Sequence, residues 1–238
     1  MIHTSHIRVR NTIERKSNDL VGTPNNIFLV GFMASGKSHV GRQLAKRTGW
    51  KLLDADSVII ERAGRSIEEI FKTEGEAFFR SLESQIVSEL CSGSKQIVAM
   101  GGGAFLNPAN REQMLSHGSV VCLRAKPETI FKRLNKSQSN DRGRRNTPVR
   151  PLLGQNDPLE KIESLIRERS VAYSEAHYQV DTDEFGPDEI AVQILHLLGN
   201  GSGSVSYTHL RANETRHDLV CRLLIEKKKG GGGGGGGG

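Results

Sequence analysis

The stretch GFMASGKS, residues 31–38, follows the apolar run IFLV and precedes a segment with helical periodicity. It satisfies the pattern G-x-x-x-x-G-K-[ST], which is typical of a phosphate-binding loop between a strand and a helix. Gly31 and Gly36 permit the backbone angles that turn successive N–H groups inward, and the next helix presents its positive N-terminus to the same anion. Lys37 can then reach the β- and γ-phosphates of a nucleotide, while the Ser38 hydroxyl can hold Mg²⁺.

Short apolar runs alternate with amphipathic stretches from residue 27 to residue 198. The apolar runs have the length of buried strands, and the segments between them are long enough for helices. Five strands with helix-length connections predict a parallel sheet covered on both faces, which is a three-layer α/β/α domain. The predicted strands cover residues 27–30, 51–53, 96–100, 119–123 and 178–181.

Local signals mark where several helices begin. Residues 37–47 follow the phosphate-binding loop directly, and SIEE at residues 66–69 has the pattern of a capping box. Residues 136–153 are polar, rich in Arg and Asn and interrupted by Gly and Pro, so they predict a mobile lid over a site. Three prolines stand where a helix could begin: Pro108, Pro127 and Pro187.

Length and composition indicate one globular domain. The chain has 238 residues, of which 36% are hydrophobic, enough for one α/β domain with a substantial core. No apolar run approaches the roughly 20 residues that span a bilayer, and residues 1–20 lack the apolar centre of a secretory signal. Cys91, Cys122 and Cys221 have no CxxC spacing, so neither a disulfide framework nor a zinc site is indicated. We therefore expect a cytoplasmic protein that does not associate with membranes.

The positive charge of the chain is concentrated at its two ends. The net charge is +6, but residues 1–26 carry +2 of it and residues 205–229 carry +3. The remaining body is close to neutral at +1, so it has no strong overall attraction for a polyanion. We therefore expect no nucleic-acid partner.

Both ends lie outside the predicted domain, residues 27–200. Residues 1–26 are polar and lack clear periodicity, which indicates a loosely ordered extension. Residues 205–229 resemble a conceptual translation of sequencing-library adapter, and residues 230–238 are all glycine. We expect residues 201–238 to be a non-native, disordered tail, and the alternative is a flexible basic tail with a glycine linker. Varied glycine codons in an independent clone would refute the first interpretation.

Two further motifs follow predicted strands. Asp54 and Asp56 end the second strand, where open α/β sheets bind ligands, and on an extended segment they point to the same side. One could support Mg²⁺ while the other accepts a hydrogen bond from a substrate hydroxyl; the alternative is a helix cap or a solvated turn. The triplet Gly101, Gly102 and Gly103 follows the third strand and lets the backbone approach a ligand closely, or else forms a tight turn.

The ordered set of motifs between residues 27 and 198 resembles the shikimate kinase family. Beyond the features above, the set comprises Phe79-Arg80, RPLL at residues 150–153, and Arg169 followed by Tyr173. The order of the motifs carries the resemblance, since no single motif identifies the family. It implies a P-loop NTPase-like fold with a mobile lid, and a kinase that uses ATP and Mg²⁺ to phosphorylate the 3-hydroxyl of shikimate.

The resemblance also implies how shikimate is bound. Residues corresponding to Asp56, Arg80, Gly102 and Arg169 hold shikimate in that family, and we include the rest of the glycine triplet in the predicted site. Two guanidinium groups can clamp the substrate carboxylate through charge-assisted hydrogen bonds, while Asp56 takes the hydroxyl groups. The alternatives are that Arg80 is a helix-surface charge and that Arg169 belongs to an ion-paired helix face.

The remaining predicted site residues serve the nucleotide and the metal. We expect Lys37, Asp56 and Arg150 to be catalytic, with Arg150 arriving as the lid closes, and Ser38 and Asp54 to bind Mg²⁺. Pro187 resembles the adenine-side residue of the family, and Arg144 is a further candidate for nucleotide contact. The predicted nucleotide-binding residues are Gly31, Ala34, Ser35, Gly36, Lys37, Ser38, His39, Arg144, Arg150 and Pro187.

Three positions depart from the family pattern. Ala34 stands where the loop often has glycine, His39 where a small hydroxyl residue often follows, and Val171 where proline commonly precedes the tyrosine. None of them removes a group assigned to the chemistry. These three departures affect the expected geometry of the loop, and they weaken the prediction of the substrate more than the prediction of the reaction.

The resemblance therefore implies a kinase of the shikimate kinase type, and we expect it to be a monomer. The alternatives are another small-acceptor P-loop kinase, of the gluconate or nucleoside-monophosphate type, and a nucleotide-binding regulatory protein without catalysis. The glycine triplet and the paired acid-binding arginines disfavour the first, and intact Lys37, Ser38 and Asp54 disfavour the second.

Overall fold

A computed structural model of the chain describes residues 25–141 and 158–200. In this part of the chain five strands form one parallel sheet in the order β2-β3-β1-β4-β5, so the strand that leads into the phosphate-binding loop lies at the centre. The strands are β1 (Asn26–Val30), β2 (Lys51–Asp54), β3 (Gln96–Ala99), β4 (Ser119–Arg124) and β5 (Tyr178–Asp181). All five predicted strands are confirmed, with ends that differ by one residue at most.

Helices connect the strands and cover both faces of the sheet. The helices are α1 (Lys37–Thr48), α2 (Ala55–Ala63), α3 (Ile67–Thr73), α4 (Gly75–Ser92), α5 (Pro108–His117), α6 (Pro127–Asp141), α7 (Pro158–Ser174) and α8 (Pro187–Asn200), with a short 3₁₀ helix at Ala104–Leu106. The three-layer α/β fold predicted from the sequence is confirmed.

The side chains of β1 alternate between two hydrophobic cores. Phe28 and Val30 are buried against α2, α4 and α5 on one face, while Ile27 and Leu29 are buried against α1 and α8 on the other. A strand that is buried on both faces lacks the polar alternation of a half-exposed strand, which is why its sequence is continuously apolar.

The helix starts follow the local chemistry of the sequence. Ser66 accepts a hydrogen bond from the Glu69 N–H, and the Glu69 carboxylate accepts one from the Ser66 N–H, so the predicted capping box is present. Pro108, Pro127 and Pro187 are each the first residue of a helix, as predicted.

The structure corrects two predicted boundaries. Asn26 lies in β1 rather than in the N-terminal extension, and its buried side chain donates to Gly93 O at 2.8 Å and accepts from Gln96 N at 3.2 Å. Residues 136–141 belong to α6, so the predicted lid does not start at residue 136. The rest of that lid, the N-terminal residues 1–24 and the predicted tail lie outside the described residues. No described helix is long and apolar enough to cross a membrane.

Candidate active site

The phosphate-binding loop connects β1 to α1 at the carboxyl end of the central strand of the sheet. Gly31 and Gly36 have φ values of 133° and 105°, and a β-carbon added to Gly31 would lie 2.3 Å from Leu123 O. Glycine is therefore required at Gly31 both by conformation and by space. Ala34 also has a positive φ, of 57°, at the position where the family pattern favours glycine.

Lys37 lies half-buried against this loop. Its ammonium group donates to Gly31 O and to Phe32 O, both at 2.9 Å. Burial lowers the pKa of Lys37 to about 8, and the nearby carboxylates of Asp56 and Asp54 oppose the shift. A cation held in this way costs desolvation free energy that a phosphate anion would offset.

Ser38 and Asp54 bring two oxygen donors together next to the loop. The Ser38 hydroxyl donates to Asp54 Oδ2 at 3.1 Å. A hydroxyl and a carboxylate suit the hard Mg²⁺ ion, which usually keeps several waters and takes further ligands from substrate phosphates. Residues 25–141 and 158–200 contain no cluster of three or more His, Cys, Asp or Glu side chains that could hold a metal. The Ser38 hydroxyl and the Asp54 carboxylate are oxygen ligands of the kind that Mg²⁺ takes beside water and phosphate.

Asp54 and Asp56 do not lie on one extended segment, and this expectation is wrong. Asp54 ends β2 and is the N-cap of α2, where its Oδ1 accepts from the Asp56 N–H at 3.1 Å. Asp56 lies in the first turn of the helix, so the cap holds the second carboxylate in place. Asp54 combines the capping role with its contact to Ser38.

Asp56 is largely buried between charges of both signs. Burial raises its pKa to about 6, the Asp54 carboxylate adds to the shift, and the Lys37 ammonium group opposes it. At neutral pH the side chain is still a carboxylate, so it can accept a hydrogen bond from a substrate hydroxyl.

The glycine triplet faces the three side chains that the sequence assigned to substrate binding. A β-carbon added to Gly101 would lie 2.7 Å from Asp56 Oδ1, and one on Gly103 would lie 2.6 Å from Arg80 Nη1. At Gly102 the nearest atom would be Arg169 Nη1, at 3.5 Å. One turn of backbone thus leaves room for a carboxylate and two guanidinium groups from three different helices.

Arg80 is held by two glutamates of its own helix, α4. Its Nη1 lies 2.8 Å from a carboxylate oxygen of Glu83, whose side chain is 4% exposed, and its Nη2 lies 3.2 Å from Glu76, which is 67% exposed. The guanidinium group also lies over the Phe79 ring at 5.2 Å. The sequence analysis did not single out Glu83, and no motif sets it apart from other helix-surface glutamates.

Arg169 and Tyr173 project from successive turns of α7 onto one backbone carbonyl. Arg169 Nη1 donates to Gly102 O at 3.3 Å, and the Tyr173 hydroxyl donates to the same oxygen at 2.7 Å. The Arg169 guanidinium group also lies over the ring of Phe32, in the phosphate-binding loop, at 5.2 Å. Burial raises the pKa of Tyr173 to about 12, so its hydroxyl remains a donor.

A cleft of about 540 Å³ opens beside these groups, between α4, α5 and α7. It is lined by the two predicted acid-binding arginines, Arg80 and Arg169, together with Arg111 and glutamates at its rim. Arg111 is engaged with Glu175 at 2.9 Å and with Phe105 O at 3.1 Å. The cleft has the volume of small-molecule sites, and its three arginines are matched by the three glutamates Glu76, Glu168 and Glu175.

A protein-family model described as shikimate kinase matches residues 33–199 of the chain. The chain belongs to the shikimate kinase family. It is 36% identical over 179 residues to the shikimate kinase of Thermodesulfovibrio yellowstonii, covering 74% of this chain and 98% of that protein. It is 41% identical over 173 residues to the shikimate kinase of Synechococcus sp. strain CC9605, covering 73% and 82% of the two chains.

Solved structures agree with the shikimate kinase assignment. The shikimate kinase from Acinetobacter baumannii in complex with shikimate has a TM-score of 0.68 and 35% identity, over 76% of this chain and 97% of the other. A gluconokinase from Sinorhizobium meliloti has a TM-score of 0.52 at 17% identity, over 78% and 98%, which is a likeness of fold alone.

An arginine that the sequence analysis missed lies beside the phosphate-binding loop. Arg133 on α6 donates to Ala34 O at 3.3 Å and to Thr182 Oγ1 at 3.0 Å, so it joins the phosphate-binding loop to the segment after β5. Nothing in the sequence separates Arg133 from other arginines in a helical pattern, because its partners lie far along the chain. His39 lies in the first turn of α1. Partial desolvation of its ring is the main cause that lowers the pKa of His39, and the positive charges of Arg42 and Arg133 lower it further.

The other predicted site residues do not lie among these contacts in the described part of the chain. Pro187 begins α8, which packs against α1. Arg144 and Arg150 lie outside the described residues. The residues that come together are therefore Lys37, Ser38, Asp54, Asp56, Arg80, Arg169 and the glycine triplet.

Proposed function

We propose that the chain transfers the γ-phosphoryl group of ATP to the 3-hydroxyl of shikimate, giving shikimate 3-phosphate and ADP. The observation that carries this proposal is the glycine triplet, where a carboxylate and two guanidinium groups converge beside a phosphate-binding loop. An anionic cyclic alcohol supplies complementary groups to all three side chains: one carboxylate for the arginines and hydroxyls for the aspartate. Family membership supports the same reaction.

The shikimate carboxylate is bound by Arg80 and Arg169 in this proposal. Both guanidinium groups border the cleft, and each has planar N–H donors that match a carboxylate. The Gly102 backbone, with its neighbours Gly101 and Gly103, lets the acid approach closely because no side chain intervenes.

Asp56 orients the hydroxyl that attacks. Its carboxylate lies next to the triplet and accepts the hydrogen bond of the 3-hydroxyl, which fixes the oxygen in line with the γ-phosphorus. A bond forms between this oxygen and the phosphorus, the bond to the β–γ bridging oxygen breaks, the hydroxyl proton passes along its hydrogen bond to the Asp56 carboxylate, and ADP departs.

Lys37 stabilises the negative charge of the transferring group. Its ammonium group exchanges its contacts with Gly31 O and Phe32 O for the β- and γ-phosphates when nucleotide enters. Ser38 and Asp54 would hold Mg²⁺, which neutralises charge on the phosphate oxygens. Arg150 is proposed to add a further positive charge on lid closure, and that closure excludes water as a competing acceptor.

The rest of the nucleotide site is proposed from the family pattern. The loop residues Ala34, Ser35 and Gly36 surround the phosphates, and His39 lies on the first turn of the helix that follows. Pro187 is proposed on the adenine side, and Arg144 is proposed as a further nucleotide contact from the lid. We further propose that residues 26–200 form the catalytic domain and that the enzyme acts as a cytoplasmic monomer without nucleic-acid partners.

A kinase assay on the purified full chain tests the function. ADP release is measured with Mg·ATP and, in parallel, shikimate, gluconate or a nucleoside monophosphate as acceptor, and the product is identified by ³¹P and ¹H NMR. We expect turnover with shikimate and a phosphate on its 3-hydroxyl. Folded protein that binds Mg·ATP but phosphorylates another acceptor, or none, would refute the proposal.

A further inference from the structure

A buried hydrogen-bond cluster holds the outer side of the phosphate-binding loop. Its centre is Thr182, the first residue after β5, which is 1% exposed. The Thr182 hydroxyl lies 3.1 Å from Ser35 O and 3.0 Å from Arg124 O, so its one hydrogen is shared between these two carbonyls, and it accepts a hydrogen bond from Arg133 Nη1 at 3.0 Å. One side chain thus joins the loop, the end of β4 and α6.

The contact to Ser35 O bears on the neighbouring amide. In a trans peptide the carbonyl and the following N–H point in opposite directions, so a carbonyl held outward directs the next N–H inward. The N–H that follows Ser35 is that of Gly36, which is the N-cap of α1, where the unpaired amides of a helix N-terminus can meet an anion. Thr182 therefore fixes the orientation of one amide at this helix N-terminus.

Ser35 O has few other donors that could replace Thr182. The only other contact of this oxygen among the described residues is from Arg133 Nη1, at 3.4 Å, and that nitrogen also serves Ala34 O and Thr182. Arg124 O, by contrast, already accepts the Thr182 N–H at 2.8 Å. Loss of the Thr182 hydroxyl would thus leave Arg124 O satisfied and Ser35 O with one long contact.

We propose that Thr182 is a positioning residue for the nucleotide, which acts through the Ser35–Gly36 peptide without touching the substrate. This inference rests on the proposed function, because the anion that meets the Gly36 N–H is a nucleotide phosphate. Thr182 contacts neither the glycine triplet nor Asp56, so shikimate binding is expected to be independent of it.

The test compares Thr182→Val, which keeps the shape of the side chain and removes the hydroxyl, with Thr182→Ser, which keeps the hydroxyl. Thr48→Val is the matched control, because the Thr48 hydroxyl also bonds backbone groups, donating to Leu44 O at 2.9 Å and accepting from Trp50 N at 3.1 Å, at the far end of α1. Binding of Mg·ADP and, separately, of shikimate is measured by calorimetry, and thermal unfolding is followed for every variant.

For Thr182→Val we expect the Kd for Mg·ADP to rise about fivefold to tenfold, with the Kd for shikimate within twofold of the wild type. Thr182→Ser and Thr48→Val should bind Mg·ADP within about twofold of the wild type. Unchanged Mg·ADP affinity in Thr182→Val would overturn the proposal. Equal weakening of both ligands would also overturn it, since that result indicates a general structural role.

A folding defect would not leave the question open. If Thr182→Val does not fold, Thr182→Ala and Thr182→Ser are compared instead, because both lack the methyl group and only serine has the hydroxyl. Weaker Mg·ADP binding in the alanine variant alone supports the proposal, and equal binding in the two refutes it. A wild-type chain that binds Mg·ADP but does not phosphorylate shikimate would contradict the proposed function and leave this comparison valid.

Discussion

The buried carboxylate of Glu83 contacts the guanidinium group of Arg80 at 2.8 Å. Because Glu83 is shielded from water, this ion pair is screened less than the exposed contact that Glu76 makes with the same arginine. Glu83 thus has the stronger hold on the direction in which Arg80 presents its remaining N–H groups to the cleft.

Glu83→Gln is expected to raise the KM for shikimate by about tenfold, because a neutral amide holds the guanidinium group less firmly. The KM for ATP should change by less than about twofold, since Arg80 lies on the acid side of the cleft. Glu76→Gln is the matched control and should leave both constants near the wild-type values. Steady-state kinetics with each substrate varied measures both, and equal effects of the two substitutions would contradict this account.

Lys37→Ala is expected to lower kcat by at least about 10³-fold while the chain stays folded. The substitution removes the cation that is proposed to meet the transferring phosphoryl group, and it also removes a partly buried charge. Lys46→Ala, at an exposed position later in α1, is the control. A coupled ADP assay and circular dichroism measure both properties, and near-normal turnover in Lys37→Ala would refute the assigned role.

Arg169→Ala is expected to raise the KM for shikimate by between about tenfold and a hundredfold, with a smaller change in kcat. Its guanidinium group lies closest of any described atom to the open position at Gly102. Arg167→Ala, an exposed arginine on the same helix, tests whether charge alone is responsible. An effect confined to the KM for ATP would count against carboxylate binding.

Ala34→Gly is expected to increase the free energy of unfolding by about 1 kcal/mol, because a left-handed backbone conformation is unfavourable for alanine and permitted for glycine. Lys95→Gly is the companion variant, since Lys95 has a φ of 53° outside the phosphate-binding loop. Both variants should become more stable in urea denaturation. A less stable Ala34→Gly would show that the alanine conformation carries no strain.

The described cysteines are expected to be unreactive in the folded protein at pH 8. Burial raises the pKa of the Cys91 thiol to about 11 and that of Cys122 to about 12. Below these values both side chains stay protonated, and the thiolate that reacts appears only as the pH rises toward them. Iodoacetamide labelling followed by peptide mass spectrometry should modify both residues after denaturation only. Modification of either in native protein at pH 8 would contradict the burial.

Sequence patterns predicted the features whose structure is determined by residues close together in the sequence. The strand pattern, the capping box at Ser66 and the phosphate-binding loop each need a few adjacent residues, so the sequence contains the whole signal. Asp56 was assigned to an extended segment because the N-cap at Asp54 starts the helix earlier than hydrophobic periodicity indicates.

Contacts between distant residues were not predictable in this way. Thr182 and Ser35 are 147 positions apart, and Arg133 and Ala34 are 99 apart, so only the parallel order of the strands brings them together. The burial of Glu83 likewise depends on how α4 packs, and its sequence context is that of an ordinary surface glutamate.

Phe32 belongs to the phosphate-binding loop, and the guanidinium group of Arg169 lies over its ring. In the proposed function, this aromatic side chain therefore connects the nucleotide loop with a residue of the acid-binding site. A compound that displaced the Phe32 ring would disturb both the phosphate-binding loop and the position of Arg169, so a single inhibitor would act on two parts of the site.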